Sequence, residues 1–338
     1  MKQEVNSGFQ DLPMVSILIL NYNGEPYVER CLNSLLDQSY SNFEVIMVDN
    51  GSSDNSLQIL KEYVPQIKLI LNDKNLGFAG GNNVGIKEAS GEFIVLFNND
   101  AIADKDWLSN LVKGGLDMPE ADIVSGPIYY YEPKDVIWCA GAHLDMITGL
   151  AWHLGQYETE FDPHSDIDYF PGCALLIRRE VFEKIGLLDE RFFLYAEDPD
   201  FCLRAKRERF KLKLVPEAKV WHMVSMGMKA EPSRVQHQKL KSEFRLILKL
   251  WPLWCLPLTV FLRLTAIPLA EILFLQQSKK HLFSTWHAFF SAFGNEPRKE
   301  QSYPWARLGS PPLHNRLAEG LRLLRKRNIK TYEGIPAE

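Results

Sequence analysis

Two clusters of oxygen-bearing side chains could carry chemistry, and each lies where an ordered element begins or ends. Asn98-Asn99-Asp100 follows directly on the apolar run EFIVLF. Oxygen ligands at the end of a buried strand suit a divalent cation, and such a cation can offset the charge of a diphosphate leaving group. Asp100 is the carboxylate of that cluster, and Asn98 offers a neutral oxygen or a water-mediated contact. Asn and Asp after a strand are also ordinary turn formers, so the pattern alone leaves both readings open. The second cluster is Glu197-Asp198-Pro199-Asp200. Asp before Pro reads as a helix start, with Asp198 as the N-cap and Pro199 in the first helical position. Adjacent carboxylates also raise one another's pKa, which helps one of them hold a proton taken from a hydroxyl. A cap and a general base are compatible roles.

Other residues could complete a site. Asp49 ends a strand-like run within VDNGSSD, where a carboxylate can accept the imide N–H of uracil or thymine or simply shape a turn. His222, in KVWHM, could add a neutral imidazole to a metal, although lone histidines are often structural. Trp138 and Trp221 could stack on a sugar ring or lie in the core. The stretch NLGFAGGNNVG, 75–85, is a glycine-rich start of a helix, where backbone N–H groups suit phosphate oxygens. It is not GxGxxG and follows the third strand, so it lacks the dinucleotide fingerprint. DNGSSDNSLQIL lacks the ligand spacing and closing Glu of a calcium loop.

The elements that must position these residues alternate regularly. Aliphatic runs at 15–20, 43–48, 67–71 and 93–97 read as strands buried on both faces, with helical segments at 27–36, after Ser53 and up to about Ala89. That rhythm predicts βαβ crossovers and a mostly parallel sheet, whose ligands bind at the carboxyl ends of the strands. Further strands are expected at 123–129, 174–178 and 211–215. The segment 250–275 is apolar and aromatic but is interrupted by Pro252, Pro257, Pro268, Arg263 and Glu271. Those charges disfavour a spanning helix and leave an interfacial helix or a helix packed on the domain.

The chain has 338 residues and a net charge of -5, which gives no sign of a nucleic-acid partner. Acidic residues dominate up to about Met223, whereas the tail carries Lys279-Lys280 and the basic run 322–327. That asymmetry points to an anionic surface near the tail. Five scattered cysteines without CxxC spacing fit a reducing cytosol, and MKQEVNSGFQDLP lacks the apolar stretch of a signal peptide. A cytoplasmic location at the inner face of the membrane is the expectation, and the sequon at Asn50 then has no glycosylation meaning.

The order of the segments is more specific than any one of them. SILILNYNGEPYVERCLNSLLDQSY, FEVIMVDNGSSDNS, NLGFAGGNNVGI, GEFIVLFNNDAI, FPGCALLIRREVF, IGLLDERFFLYAEDPDFCLRA and VPEAKVWHMVS together resemble family 2 glycosyltransferases of the GT-A fold. The likeness is to their bacterial rhamnosyltransferase-like branch and covers about 15–225. It implies an α/β fold with a mostly parallel central sheet flanked by helices. The catalytic domain would span 13–225, with a helical, apolar and basic extension at 226–338. By the resemblance, Leu20, Tyr22 and Asp49 line the nucleotide base, and Asn82 and Asn83 lie beside the ribose and diphosphate. Asn98, Asn99 and Asp100 correspond to the DxD motif, with a magnesium or manganese ion held by Asp100 and His222. Asn98 departs from that motif and leaves Asp100 as its only carboxylate. Gly172 and Cys173 match a segment beside the donor sugar on the acceptor side, next to Glu197, and Asp198 matches the base.

The implied reaction is a single displacement that inverts the anomeric centre. The donor would be dTDP-L-rhamnose, or else a UDP-hexose or UDP-N-acetylhexosamine. The acceptor would be a saccharide or lipid-linked oligosaccharide for a cell-surface polysaccharide, with membrane contact through 244–290. A sugar nucleotidyltransferase would carry a Gly-rich, Arg-containing loop where NYNGEP stands. A non-catalytic glycan binder would have lost the base, and Asp198 is present.

Overall fold

The structure is a computed structural model that describes residues 12–116, 121–224, 232–269 and 280–292. The expected aliphatic runs form β1 (Val15–Asn21), β2 (Phe43–Asp49), β3 (Lys68–Leu71) and β4 (Phe93–Asn98). Between them run α1 (Val28–Leu36), α2 (Ser56–Glu62) and α3 (Gly77–Glu88). The side chains alternate between two cores. Ile17, Ile19, Val45 and Met47 pack with Leu32 and Leu35 of α1 on one face. Leu18, Ile46, Val48 and Leu96 pack with Ala79 and Ile86 of α3 on the other. With both faces covered, Ile17, Leu18 and Ile19 must all exclude water, so the middle of β1 is consecutively aliphatic, and its buried Ser16 is satisfied by Glu44.

The chain continues through β5 (Ala101–Ala103), α4 (Trp107–Leu116), β6 (Ile123–Ser125), β7 (Ile128–Tyr130), β8 (Ile137–Cys139), β9 (Ala142–Leu144) and β10 (Ala151–His153). Then come β11 (Ala174–Arg178), α5 (Arg179–Ile185), α6 (Glu197–Arg207), β12 (Leu212–Leu214) and β13 (Val220–His222). The main sheet runs β12-β6-β11-β4-β1-β2-β3. Within it β11 lies antiparallel to β4 and β6, and the other pairs are parallel. A second sheet runs β5-β13-β7-β8, and β9 pairs with β10.

The strand expected at 123–129 is two strands in different sheets. Gly126 sits so close to Ala218 that a Cβ would meet its carbonyl oxygen at 1.6 Å. Pro127 offers no N–H to extend a ladder. The chain therefore leaves the main sheet after Ser125 and enters the second at Ile128. This switch gives β13 a parallel neighbour in β7, with His222 opposite Tyr130.

Beyond β13 lie α7 (Pro232–Leu250), α8 (Leu256–Leu264) and α9 (Lys280–Ala292). Phe244 of α7 meets Phe289 of α9 edge to face at 5.2 Å, with Leu264, Ala288 and Ala292 around them. Arg263, which interrupts the apolar segment in sequence, is buried and paired with Glu243. Among the described residues no helix is long and apolar enough to cross a membrane. Residues 270–279, which complete the apolar segment and begin the basic tail, lie outside the described part, as does the run 322–327.

Candidate active site

The register of the parallel strands brings their polar ends to one edge. Asn21 pairs with Asp49, and Leu20 with Asn98. Asn21, which the sequence reading passed over, joins these ends. Its Nδ2 lies 2.9 Å from Asp49 Oδ1, 2.9 Å from Ser56 Oγ and 3.1 Å from Ser52 Oγ, and its Oδ1 accepts from Asn99 Nδ2 at 3.0 Å. The side chain is fully buried. Gly24 makes the junction fit, because a Cβ there would lie 2.3 Å from both Asn21 Oδ1 and Asn99 Nδ2. The sequence cue is an Asn that closes an apolar run three residues before Gly24.

The two metal-binding candidates meet. β5 runs antiparallel to β13, and Met223 N donates to Asp100 O at 2.9 Å. His222 Nε2 then lies 2.9 Å from Asp100 Oδ1 and 3.4 Å from Asn98 Nδ2. Burial works against an imidazolium. The Asp100 carboxylate outweighs it, together with the Cys173 thiol, and the His222 pKa stands well above its ordinary value. Burial likewise opposes the Asp100 charge, but His222 holds that carboxyl below the usual range. Asn98 N donates to Cys173 O at 2.9 Å, so the start of β11 abuts this motif. Trp138 stands edge-on to His222 at 4.8 Å, whereas the Trp221 indole donates to Lys134 O.

The donor set fits a divalent ion held mainly by its substrate. One carboxylate oxygen and one imidazole nitrogen face each other at 2.9 Å, with the Asn98 side chain beside them. A cation there would replace the shared proton. No group of three or more His, Cys, Asp or Glu side chains is arranged for an ion among the described residues. Diphosphate oxygens and water would have to supply the other positions, as magnesium and manganese sites commonly allow.

The acidic turn differs from its expected form. α6 begins at Glu197, and Ala196 occupies the cap position in the left-handed conformation, φ 67°, without a side-chain cap bond. Asp198 is therefore not the N-cap. Pro199 sits two places further in than expected, where it still lies among the N–H positions that a helix start leaves unpaired. Freed from capping, the Asp198 carboxylate accepts from Gly172 N at 3.2 Å. Gly172 and Cys173 thus connect the base candidate to Asn98. Burial lifts Asp198 to about 6 despite the Gly172 bond. Glu197 is pushed well above its usual value by burial and then by Asp198 and Asp200. Its Oε2 has no hydrogen-bond partner among the described residues.

The donor-side candidates are less uniform. Tyr22 is exposed and Leu20 half-buried, its methyl group so near α3 that a Cβ on Gly81 would meet it at 2.3 Å. Asp49 is buried and also accepts from Ser52 N at 3.1 Å. Three amides of the glycine-rich helix start are already taken. Leu76 N donates to Asn50 Oδ1, Gly77 N to Asn75 Oδ1 and Phe78 N to Phe193 O. Asn82 donates to Phe78 O. Asn83 is engaged by the loop after α5: its Nδ2 donates to Leu188 O and Glu190 Oε1, and its Oδ1 accepts from Leu188 N. The structure therefore brings Asp49, Asn98, Asn99, Asp100, Cys173 and His222 into one bonded neighbourhood and ties Asn83 to the acceptor-side loop instead.

An open sheet with helices on both faces, its polar strand ends gathered beside a short second sheet, has known counterparts. A mannosyltransferase from Pyrobaculum calidifontis, in complex with GDP-Man and Mn2+, superimposes with a TM-score of 0.53 at 20% identity, over 95% of this chain and 83% of that one. The fold is GT-A. Residues 16–186, half of the chain, match the profile of glycosyl transferase family 2, and the chain belongs to that family. The uncharacterized glycosyltransferase EpsJ of Bacillus subtilis is 31% identical over 210 residues, 61% of this chain and 60% of that protein. The O-antigen biosynthesis protein RfbC of Myxococcus xanthus is 30% identical over 234 residues, 65% of this chain and 18% of its own length. The chain spans about three fifths of the length of the first curated relatives it matches.

The raised pKa of Glu197 makes a stability statement. A carboxyl whose folded pKa exceeds its unfolded value contributes stability below the unfolded value and loses it as pH rises through the folded one. Glu197→Gln cannot ionise, so it should flatten that loss. Thermal denaturation between pH 4 and 8 should show the variant gaining on wild type as pH rises, and a constant difference across the range would refute the assignment.

Proposed function

We propose that this protein is a metal-dependent, inverting glycosyltransferase acting on a nucleotide-sugar donor. Supporting this reading is one observation above the rest: the start of β11 bonds the Asp198 carboxylate through Gly172 N and abuts Asn98 through Cys173 O. A base and a diphosphate-side motif are thereby linked by two consecutive residues.

The chemistry follows from the two environments. Asp100 and His222 would hold a magnesium or manganese ion, which when bound supplies positive charge against the departing nucleoside diphosphate. Asp49, with Leu20 and Tyr22, would receive the nucleotide base, and Asn98 and Asn99 the donor's phosphate side. Asp198 would take the proton of the acceptor hydroxyl as that oxygen attacks the anomeric carbon from the face opposite the leaving group. Its pKa of about 6 leaves it ionised at neutral pH yet basic enough to accept the proton. Burial and Asp198 push the Glu197 carboxyl well above its usual range, which favours its uncharged form beside the base.

The donor we favour is dTDP-L-rhamnose, on the resemblance of the ordered segments to rhamnosyltransferases, with UDP-hexoses and UDP-N-acetylhexosamines as alternatives. The acceptor we favour is a saccharide or lipid-linked oligosaccharide of a cell-surface polysaccharide, and the likeness to the O-antigen protein RfbC supports that setting. The catalytic unit would comprise 13–225, with 226–338 as an extension at the inner face of the cytoplasmic membrane. For the membrane the support is an apolar surface on the last helices: Trp254, Leu258 and Phe261 at α8, with Phe283 and Phe290 of α9, are exposed. Large aromatic side chains of this kind favour the interfacial layer of a bilayer.

Turnover, metal dependence and membrane binding each test this reading. Release of nucleoside diphosphate should be screened over dTDP-L-rhamnose, UDP-hexoses, UDP-N-acetylhexosamines and GDP-Man. With the active donor, Asp198→Asn should lose about 10²–10⁴-fold in turnover. In wild type kcat/KM should rise with pH through about 6, as the carboxyl ionises. Equal turnover in the variant removes Asp198 from the mechanism. Exhaustive chelation should abolish turnover and added Mn2+ or Mg2+ restore it, with Asp100→Asn needing more ion; full activity after chelation refutes the metal. Sedimentation with vesicles containing anionic lipid should carry down the wild type and much less of Trp254→Ser/Phe261→Ser, and equal binding by both would remove the membrane surface.

A further inference from the structure

The family profile ends at Gly186, yet the turn that carries the base is built with help from far beyond it. The loop from Gly186 to Ala196 ends in two consecutive non-glycine residues with positive φ, Tyr195 at 66° and Ala196 at 67°. Such a conformation is strained for a residue with a Cβ and persists only where the surroundings impose it. One flank of the loop is held by α3, through Asn83 and through Phe78 N to Phe193 O at 2.6 Å. The other flank is held by α7. Ser242 Oγ donates to Leu194 O at 2.8 Å, and Arg245 donates to Arg191 O. Leu246, Ile247 and Leu250 of α7 share an apolar cluster with Phe192, Ala196 and Leu203.

Lys249 closes this flank. Its Nζ lies 2.6 Å from Asp189 Oδ2 in the loop and 2.5 Å from Asp200 Oδ1 in the first turn of α6. Asp200 is completely buried, and Arg204 Nε holds its other oxygen at 2.8 Å. The ammonium therefore joins both ends of the segment that presents Asp198. It also lies 5.4 Å from the centre of the Phe192 ring, within the same cluster.

We propose that Lys249 of α7 is a positioning residue for the base, pinning the first turn of α6 to the 186–196 loop through Asp200 and Asp189 so that Asp198 is presented to the acceptor. The inference rests on Asp198 being the base. It makes α7 a working part of the acceptor side, in addition to any role of the extension at a membrane.

Lys249 acts in two ways, by geometry and by charge. As a pin it keeps the strained turn from relaxing. As a cation it offsets the buried Asp200, whose charge otherwise bears on Glu197 beside Asp198. On α6 the pair is also faced by Cys202 and Arg204. From other elements it is faced by Tyr169 before β11, with Glu243 of α7 behind it, and by Asp189 with its partner Arg191. Lys249 is the cation that α7 inserts among these acids.

The test uses the full chain and the active donor. Lys249→Met should lower kcat about 10–100-fold with donor KM within about twofold, because only the acceptor side is displaced. The rising limb of its pH profile should move upward by about half a unit, as Asp200 bears more heavily on the pair. Lys249→Arg, which keeps the charge and reach, should recover most of the turnover. In Lys249→Met/Asp200→Asn the limb should return towards the wild-type position while kcat stays low. That double variant removes the buried Asp200 charge together with Lys249, and it carries the test if Lys249→Met does not fold. A folded Lys249→Met with wild-type kcat and an unmoved limb overturns the proposal, as does a double variant with wild-type kcat. Full turnover in Asp198→Asn would overturn the base assignment itself, whereas an inactive Asp198→Asn beside a wild-type Lys249→Met would overturn only the positioning.

Discussion

A parallel sheet gathers the carboxyl ends of its strands at one edge, and each end must satisfy its polar groups there. In this protein the buried carboxamide of Asn21 meets that constraint for three strand ends at once. Its amide nitrogen faces Asp49 and the serines of the β2–α2 turn, and its oxygen receives Asn99. An unpaired buried polar group would cost about 1–3 kcal/mol, so the four groups order one another. The turn after β1, the end of β2 and the Asn98-Asn99-Asp100 turn are thereby fixed as one unit. Gly24 follows from the same demand, since no side chain fits between Asn21 and Asn99.

From that edge the site divides into two electrostatic environments. Asp100 faces a cationic partner and is held acidic; Asp198 and Glu197 face burial and one another and are held basic. Carboxylates suited to opposite tasks are separated in this way, one to remain an anion beside a cation and one to receive a proton. The antiparallel strand β11 spans the two. Its approach, Gly172 and Cys173, bonds to both sides through main-chain groups that need no particular side chain. The short β13 matters for the same reason, because pairing with β5 sets His222 against Asp100.

The sheet was readable because burial on both faces forces aliphatic runs, as in β1, β2 and β4; the run at 67–71 also forms a strand, β3, but at the sheet edge with Lys68 and Leu71 exposed, so it is not buried on both faces as expected. Asn98, Asp100 and His222 could be named from residue type and order, since their chemistry is local to a strand end. What the sequence could not display were contacts whose partners are far apart. Asn21 looked like one more turn residue because its partners lie 28 to 78 positions away. Asp198-Pro199 followed a capping pattern, but the left-handed Ala196 starts the helix earlier and releases the carboxylate to Gly172. The glycine-rich start of α3 suited phosphate by its composition, yet Asn50, Asn75 and the Phe193 carbonyl take its amides. Propensity reports what a segment can do alone, and tertiary partners decided each of these cases.

The same distinction separates the two edges of the candidate site. The edge at Asp49 and Asn98 is determined by backbone pairing within one sheet, so its geometry is inherited from the core and needs little else. The edge at Asp198 follows a loop with two residues in left-handed conformation, and no ladder runs through it. Its shape depends on side chains arriving from α3 and from α7, elements that lie more than 100 positions before and about 50 positions after it in sequence. Contacts of that kind can be rebuilt with different residues while the sheet stays the same. A fold that fixes its strand ends by pairing and assembles the turn around Asp198 from a loop, a helix start and a later helix therefore has a physical route to vary that turn on one frame.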